Sequence, residues 1–459
     1  MFYGPVDGQK FSRYPAGHGI SVVTEIVSHS PQLERFLRHL GQVFDVDLSL
    51  VLWDGARFPL CARPSSDLAL KIYDPGVIAS LLRAPKLWTA IELLLNGRIR
   101  IVGGTFFDFE PRRQDLENKL RAGAWKKIDK GLAFSALAPF FFASRNPPTP
   151  KLDFAGNIAD RVDEGRDDKA LVQFHYDLSN EFYALFLDPR MVYSCAYFPT
   201  WEASLEEAQV SKLDIVCRKL QLKAGERLLD IGCGWGGLVI HAAQHYGVTA
   251  HGVTLSQAQF DFACKRVAEL GLADRIRIEL KDYRELTGEY DKIASVGMFE
   301  HVGLDNHDAY FAKMHSLLRV RGLLLNHAIT RRARRRNFRR KPPEYVAMTR
   351  FIFPGGELDH IGLSLDNLEI HEFDVHDVEG LREHYAKTCR IWAERLYARR
   401  REAEALIGEV KTHLWLIYLA RCAIGFERGA MAIFQTLASK RAPSALGSGL
   451  PPTRRHLFE

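Results

Sequence analysis

The sequence has 459 residues, 47% of them hydrophobic, which is enough for two domains with sizeable cores. Its 62 basic and 56 acidic residues leave a net charge of only +6, so the placement of charge matters more than its sum. Seven cysteines (Cys61, Cys195, Cys217, Cys233, Cys264, Cys389, Cys422) form no C-x-x-C pair and no metal-like spacing, which excludes a disulfide framework or a cysteine metal site and reads as reduced thiols in a cytosolic protein.

In chain order, the N-terminus MFYGPVDGQKFSRYPAG lacks the apolar core of a signal peptide. No apolar run approaches the length of about 18 residues that a spanning helix needs. Residues 47–53, 68–73 and 98–103 alternate like strands, with helical patterns over 75–83 and 87–95. They predict a small α+β domain over residues 1–144 with nothing catalytic in it. Within it, Leu132 to Ala143 (LAFSALAPFFFA) is apolar but short and interrupted by Pro139. It reads as a buried helix or strand, or as a segment touching a bilayer surface. Residues 145–169, rich in proline and charge, predict a linker.

The remainder, 170–459, alternates strands and helices. Strands are expected at 227–231, 248–253, 275–280, 292–296 and 322–327, with helices between them. That order implies an α/β fold with a doubly wound, Rossmann-like parallel sheet, whose ligands sit beyond the carboxyl ends of the strands. The first strand runs into LLDIGCGWGG, Leu228 to Gly237. Gly232, Gly234 and Gly236 let backbone approach a ligand, and Asp230 closes the strand and is expected to orient the turn. The spacing D-x-G-x-G-x-G differs from the pyrophosphate-binding G-x-G-x-x-G and resembles motif I of S-adenosylmethionine-dependent methyltransferases. After the second strand stand Thr254 and Leu255, with Gln259 five residues beyond Thr254, where an acidic residue more often holds ribose hydroxyls. After the third, Asp282 is placed to accept from an adenine amine and Tyr283 to stack on the base. After the fourth comes SVGMFEHVG with Glu300, and after the fifth His327 and Ile329. Taken singly, His327 also reads as a core histidine and Cys195 as a small buried hydrophobe.

Taken together, HYDLSNEFY, YSCAYF, LLDIGCGWGG, GVTLS, KDYR, SVGMFEHVG and FIFPGGEL resemble the cyclopropane-fatty-acyl-phospholipid synthase family, which includes the mycolic acid cyclopropane synthases. The resemblance covers residues 170 to 435, and the missing acid after the second strand is a family trait. It implies transfer of the S-adenosylmethionine methyl to a cis double bond of an acyl chain. A carbocation develops, and a bound bicarbonate ion removes a proton to close the ring. In the family that ion is held by a Cys backbone group, a Glu, a His, an Ile backbone group and a Tyr. The matching positions are Cys195, Glu300, His327, Ile329 and, by spacing alone, Tyr385. By the same likeness Tyr176, Tyr193, Ser194, Gly232, Gly234, Thr254, Leu255, Gln259, Asp282 and Tyr283 line the cofactor site, and no metal is implied. Tyr197, Phe198, Phe299 and Trp392 are candidates to face the cation. The N-terminal unit resembles the small lipid-binding domain of full-length bacterial members, which leaves a homodimer open.

The run ITRRARRRNFRRKPPEY, with eight basic residues between Arg331 and Lys341, follows the fifth strand. No nucleic-acid module accompanies it, and anionic phospholipid headgroups fit it better. The expectation is a cytoplasmic enzyme, peripheral on the inner face of the membrane, that cyclopropanates phospholipid acyl chains. The alternative is a fatty-acyl C-methyltransferase giving methyl-branched, methylene or methylated unsaturated chains. A lipid-binding protein with a relic methyltransferase domain is disfavoured by the intact Cys195, Glu300 and His327. An RNA methyltransferase would rest on the basic run alone.

Overall fold

The computed structural model describes residues 29–141, 165–176, 178–333, 349, 352–442 and 447–457. The predicted linker up to residue 164 and residues 334–341 of the basic run lie outside the described residues.

The first helix, α1 (Pro31–Phe44), begins where Ser30 accepts from the Leu33 N–H and Pro31 presets the first turn. A four-stranded sheet follows, made of β1 (Ser49–Val51), β2 (Arg57–Pro59), β3 (Ala69–Ile72) and β4 (Ile99–Val102) in the order β2-β1-β3-β4. Helices α2 (Gly76–Arg83) and α3 (Leu87–Leu95) cross between its last two strands. α4 (Phe106–Arg121) is opened by a reciprocal Thr105–Asp108 capping box. The apolar stretch beginning at Leu132 forms most of α5 (Lys130–Phe141). It packs Ala136 against Leu33 and Phe58, yet leaves Phe134 77% and Phe141 54% exposed.

The larger layer starts with α6 (Asp168–Tyr176), α7 (Asn180–Ala184) and α8 (Leu205–Lys219). Its sheet comprises β5 (Arg227–Ile231), β6 (Thr249–Thr254), β7 (Ile276–Leu280), β8 (Tyr290–Val296), β9 (Leu318–Arg331), β10 (Phe373–Gly380) and β11 (Met431–Lys440). Helices α9 (Gly237–Tyr246), α10 (Gln257–Glu269), α11 (His307–Leu317), α12 (Ile361–Ile370), α13 (Arg382–Ala398), α14 (Arg400–Ile407) and α15 (Glu409–Glu427) surround it. The strand order is β10-β11-β9-β8-β5-β6-β7. β5 to β9 are parallel, as expected, and β11 runs antiparallel between β9 and β10. The sequence reading anticipated neither β10 nor β11. β10 (FDVHDVEG) is an edge strand that leaves polar side chains half in solvent, so it carries no apolar run to recognise.

The two layers are tied at Glu110 of α4. This carboxylate is 1% exposed and is held by Arg113 of its own helix at 2.8 Å and by Arg421 and Arg428 at 3.2 and 2.9 Å. The last residues of the predicted linker are also engaged. Arg166 is buried and donates to the carbonyls of His301 and Gly355, both at 2.8 Å.

Candidate functional site

The turn after β5 has its three glycines at φ of +77° (Gly232), +54° (Gly234) and +85° (Gly236), a region L side chains avoid. The Gly232 and Cys233 N–H groups both donate to the Val253 carbonyl, at 3.0 and 2.9 Å, which clamps the turn onto β6. The Val253 carbonyl thus helps to orient the turn, beside the role expected of Asp230. A Cβ on Gly232 would lie 2.8 Å from Met298 Cγ. Gly236 does not line the cavity described below. It caps α9, where a Cβ would meet Ala263 of α10 at 3.3 Å, so its smallness serves helix packing.

A cavity opens at the carboxyl ends of β5 to β8, at the position the parallel topology dictates. From β5 it takes Asp230, Gly232 and Gly234, and from β6 Thr254, Leu255 and Gln259. Asp282 and Tyr283 follow β7, and Tyr176, Tyr193 and Ser194 cover it from the chain preceding the sheet. Ser256 caps α10 by accepting from the Gln259 N–H, and Thr254 Oγ1 donates to Gln259 Oε1 at 2.8 Å. A neutral hydroxyl–amide pair therefore occupies the place of the usual acid. Asp282 accepts from the Arg284 guanidinium, Arg284 pairs with Asp168, and Asp168 pairs with Arg166. This chain of charges fixes the Asp282 carboxylate at the cavity wall. A ligand with the adenosyl and amino-acid parts of S-adenosylmethionine fits these walls, because glycines stand where side chains would obstruct it.

The sequence reading missed Lys212. It is buried in α8, lines the same cavity and donates to Ser194 Oγ at 2.8 Å. Burial lowers its pKa to about 8 and raises that of Asp230 to about 7, each partner opposing the shift of the other. A signal was present. Lys212 falls on the stripe Leu205, Ala208, Gln209, Leu213, Val216 that buries α8.

A second cavity shares one lining residue, Tyr193, with the first. Its walls are apolar and aromatic, including Phe353, Trp392, Tyr418 and Phe426. Glu300, Ile329 and Tyr385 also line it. Glu300 follows β8, and its Oε1 accepts the Ile329 N–H at 2.6 Å. Its Oε2 is buried with no partner, and burial raises its pKa to about 7. His327 is wholly buried, two residues before Ile329 on the same face of β9. Its Nδ1 lies 3.1 Å from Gln435 Nε2, and its Nε2 is a second orphan. Burial, with the charges of Lys212 and Lys219, holds the imidazole far below its usual pKa and therefore neutral. Cys195 and His327 do not line the cavity. Cys195 is buried, with Sγ 3.3 Å from the Ala196 carbonyl oxygen, and desolvation pushes its thiol and the Tyr385 hydroxyl upward. The Glu300 carboxylate oxygen and the His327 ring nitrogen are thus both buried polar atoms without a partner, a state that native interiors rarely leave unsatisfied.

Of the aromatics expected to face a cation, only Trp392 lines this cavity. Tyr197 and Phe198 stack on His384 with centroids at 5.0 and 6.1 Å, and Phe299 packs against His307 and Tyr310 in the core. Tyr193, 5.1 Å from the Trp392 ring, takes their place.

Residues 164–436 match the family described as mycolic acid cyclopropane synthetase. A probable fatty acid methyltransferase of Pseudomonas putida is 36% identical over 421 residues, covering 91% of this chain and 98% of its own. Cyclopropane mycolic acid synthase 1 of Mycobacterium tuberculosis is 37% identical over 285 residues, 61% of this chain and 99% of its own. Among solved structures, mycolic acid cyclopropane synthase CmaA1 complexed with SAH and CTAB superposes with a TM-score of 0.57 at 36% identity, covering 60% of this chain and 100% of its own. The Mycobacterium tuberculosis cyclopropane synthase MmaA2 gives 0.57 at 35% identity, over 59% and 98%. With this sheet, this glycine turn and these relatives, the chain is an S-adenosylmethionine-dependent methyltransferase acting on lipid chains and belongs to the mycolic acid cyclopropane synthetase family.

Proposed function

We propose that this methyltransferase converts cis double bonds of phospholipid acyl chains into cyclopropanes. The observation that carries this reading is the buried Glu300 carboxylate, whose Oε2 has no partner, on the wall of an apolar cavity that shares Tyr193 with the cofactor cavity. S-adenosylmethionine supplies the electrophilic methyl group, and bicarbonate held by Glu300, His327, Tyr385 and the backbone of Cys195 and Ile329 supplies a general base. The remaining work belongs to the chain. The apolar walls exclude water, so a cationic acyl chain survives long enough to lose a proton. Tyr193, Trp392 and Tyr418 turn ring density toward that charge. The Ile329 N–H and the Glu300 carboxylate fix each other at 2.6 Å. Incubation with S-adenosylmethionine and monounsaturated anionic vesicles, followed by mass spectrometry with ozonolysis, tests the proposal. A gain of one CH2 with loss of the ozone-sensitive bond is expected. The same gain with the bond retained would favour the fatty-acyl C-methyltransferase reading, to which the name of the Pseudomonas relative also points.

The substrate reading requires a membrane surface. Among the described residues no helix is long and apolar enough to cross a membrane. Attachment at the cytoplasmic face through the Arg331–Lys341 region is proposed, aided by the exposed Phe134, Phe141 and Trp125 of the first layer. Binding to vesicles is expected to rise with the anionic lipid fraction and to fall as salt increases from about 0.05 to 0.5 M, by co-sedimentation. Equal binding to purely zwitterionic vesicles would count against it.

A further inference from the structure

We propose that Gln435 is a positioning residue that fixes His327 in the Nε2–H tautomer and thereby sets the hydrogen-bond polarity of the base site. The inference rests on the bicarbonate reading above and goes beyond it. β9 and β11 pair antiparallel, and His327 and Gln435 are direct partners in that ladder. Both side chains are 0% exposed, so no bulk water exchanges protons or partners with them. A neutral imidazole carries one N–H, and the partner of one nitrogen decides where it sits. Lys212 and Lys219 oppose protonation of the ring, which leaves the choice between two neutral tautomers. The Gln435 amide faces Nδ1 with its NH2 at 3.1 Å. That group donates, so Nδ1 must accept, and the proton belongs on Nε2. Nε2 is the ring atom without a partner.

The consequence follows where one bicarbonate ion touches both residues, as the proposed function has it. His327 offers a donor, and Glu300 Oε2 offers an acceptor. A small anion that accepts at one end and donates at the other satisfies both, and hydrogen carbonate does so. Nitrate, with the same planar shape and no proton, does not. Gln435 thus acts through His327 on which anion is accepted, without touching that anion itself.

Nitrogen NMR of the full chain labelled with 15N-histidine, with S-adenosylhomocysteine bound, reads the tautomer directly. The wild-type protein should show pyridine-type Nδ1 and pyrrole-type Nε2 for His327, identified by its loss in His327→Asn. The reverse pattern in the wild type would overturn the proposal, and this measurement needs no Gln435 variant to fold. Gln435→Glu places an acceptor at Nδ1 and should reverse the pattern, while Gln435→Leu should leave a mixture. In Gln435→Glu the bicarbonate concentration for half-maximal turnover should rise about tenfold, the loss of one hydrogen bond to a charged group, and in Gln435→Leu only about twofold, in proportion to the tautomer fraction lost, with S-adenosylhomocysteine affinity within about threefold of wild type in both. A Gln435→Glu protein that keeps both the Nε2–H tautomer and the wild-type bicarbonate dependence would also overturn it. Turnover that does not change when carbon dioxide is rigorously removed would overturn the bicarbonate reading instead, and the spectrum would still decide the tautomer.

Discussion

Glu300→Gln is expected to reduce turnover by about a thousandfold, within the range a positioned general base contributes, while S-adenosylhomocysteine affinity changes by less than about threefold. The carboxylate sits past the end of β8 in the second, apolar cavity and does not line the cofactor cavity, so binding and chemistry separate. Oε1 would keep a partner in the amide oxygen, which can still accept from the Ile329 N–H. Oε2 would become an NH2, a donor in place of the acceptor that the proposed anion requires. The pair then offers two donors, and the proton-carrying anion loses its acceptor. The same substitution has a readout independent of activity. Burial raises Glu300 from 4.5 to about 7, and each such unit is worth about 1.4 kcal/mol of folding free energy. Because the folded pKa is raised, the favourable protonated state is fully present below the unfolded value and lost as pH rises through about 7. At pH 8 the native protein therefore bears this penalty, and Glu300→Gln removes it. The variant should be more stable than wild type at pH 8, by up to about 3 kcal/mol, and equal to it near pH 4. Denaturant titrations at both pH values check this. A variant that keeps most of its activity would sink the assignment of Glu300 to the base site.

What the sequence made legible follows the range of the interactions. The cofactor cavity is built from strand ends and the few residues after them, and a strand-to-turn segment such as Asp230–Gly234 carries its own geometry. Reading beyond each buried strand therefore located Thr254, Gln259, Asp282 and Tyr283 before any fold was known. Gly236 marks a limit of that reading, because a small residue at a turn serves a ligand or a neighbouring helix equally well, and the approach of Ala263 comes from α10. The apolar cavity depends on contacts across the whole chain. Tyr193 meets Trp392 and Tyr418 only because α13 and α15 fold back over the sheet. Nothing local separates it from Tyr197, four residues on and packed against His384. Gln435 stands 108 residues from His327 and lies on a strand that was not anticipated. Helix α1 carries its own local signals, with Ser30 and Pro31 at its start and Leu33, Phe36 and Leu37 on one face.

Gly234→Ala is expected to abolish measurable cofactor binding while leaving the fold nearly untouched. A Cβ there has only Gln259 Nε2 nearby, at 4.0 Å, so the added methyl meets no protein atom and projects into space the ligand needs. The backbone strain at φ +54° costs about 1–2 kcal/mol, which a chain of this size tolerates. Gly232→Ala adds a collision to the same strain, because its Cβ would come within 2.8 and 2.9 Å of Met298 Cγ and Cβ. Met298 lines the cavity too, so its displacement narrows the site from the opposite wall. Both variants should bind S-adenosylhomocysteine at least about a hundredfold more weakly, a loss near 3 kcal/mol by titration calorimetry. Gly225→Ala separates strain from obstruction. It lies at φ +85° with nothing within 4 Å of a Cβ and does not line the cavity. It should lose stability by a similar 1–2 kcal/mol and keep wild-type affinity. If Gly225→Ala weakened binding as much as the other two, the affinity losses would report general destabilisation, and the glycine turn would lose its place as the cofactor cradle. If instead Gly234→Ala bound the ligand as wild type does, the cofactor would have to lie elsewhere along the carboxyl edge of the sheet.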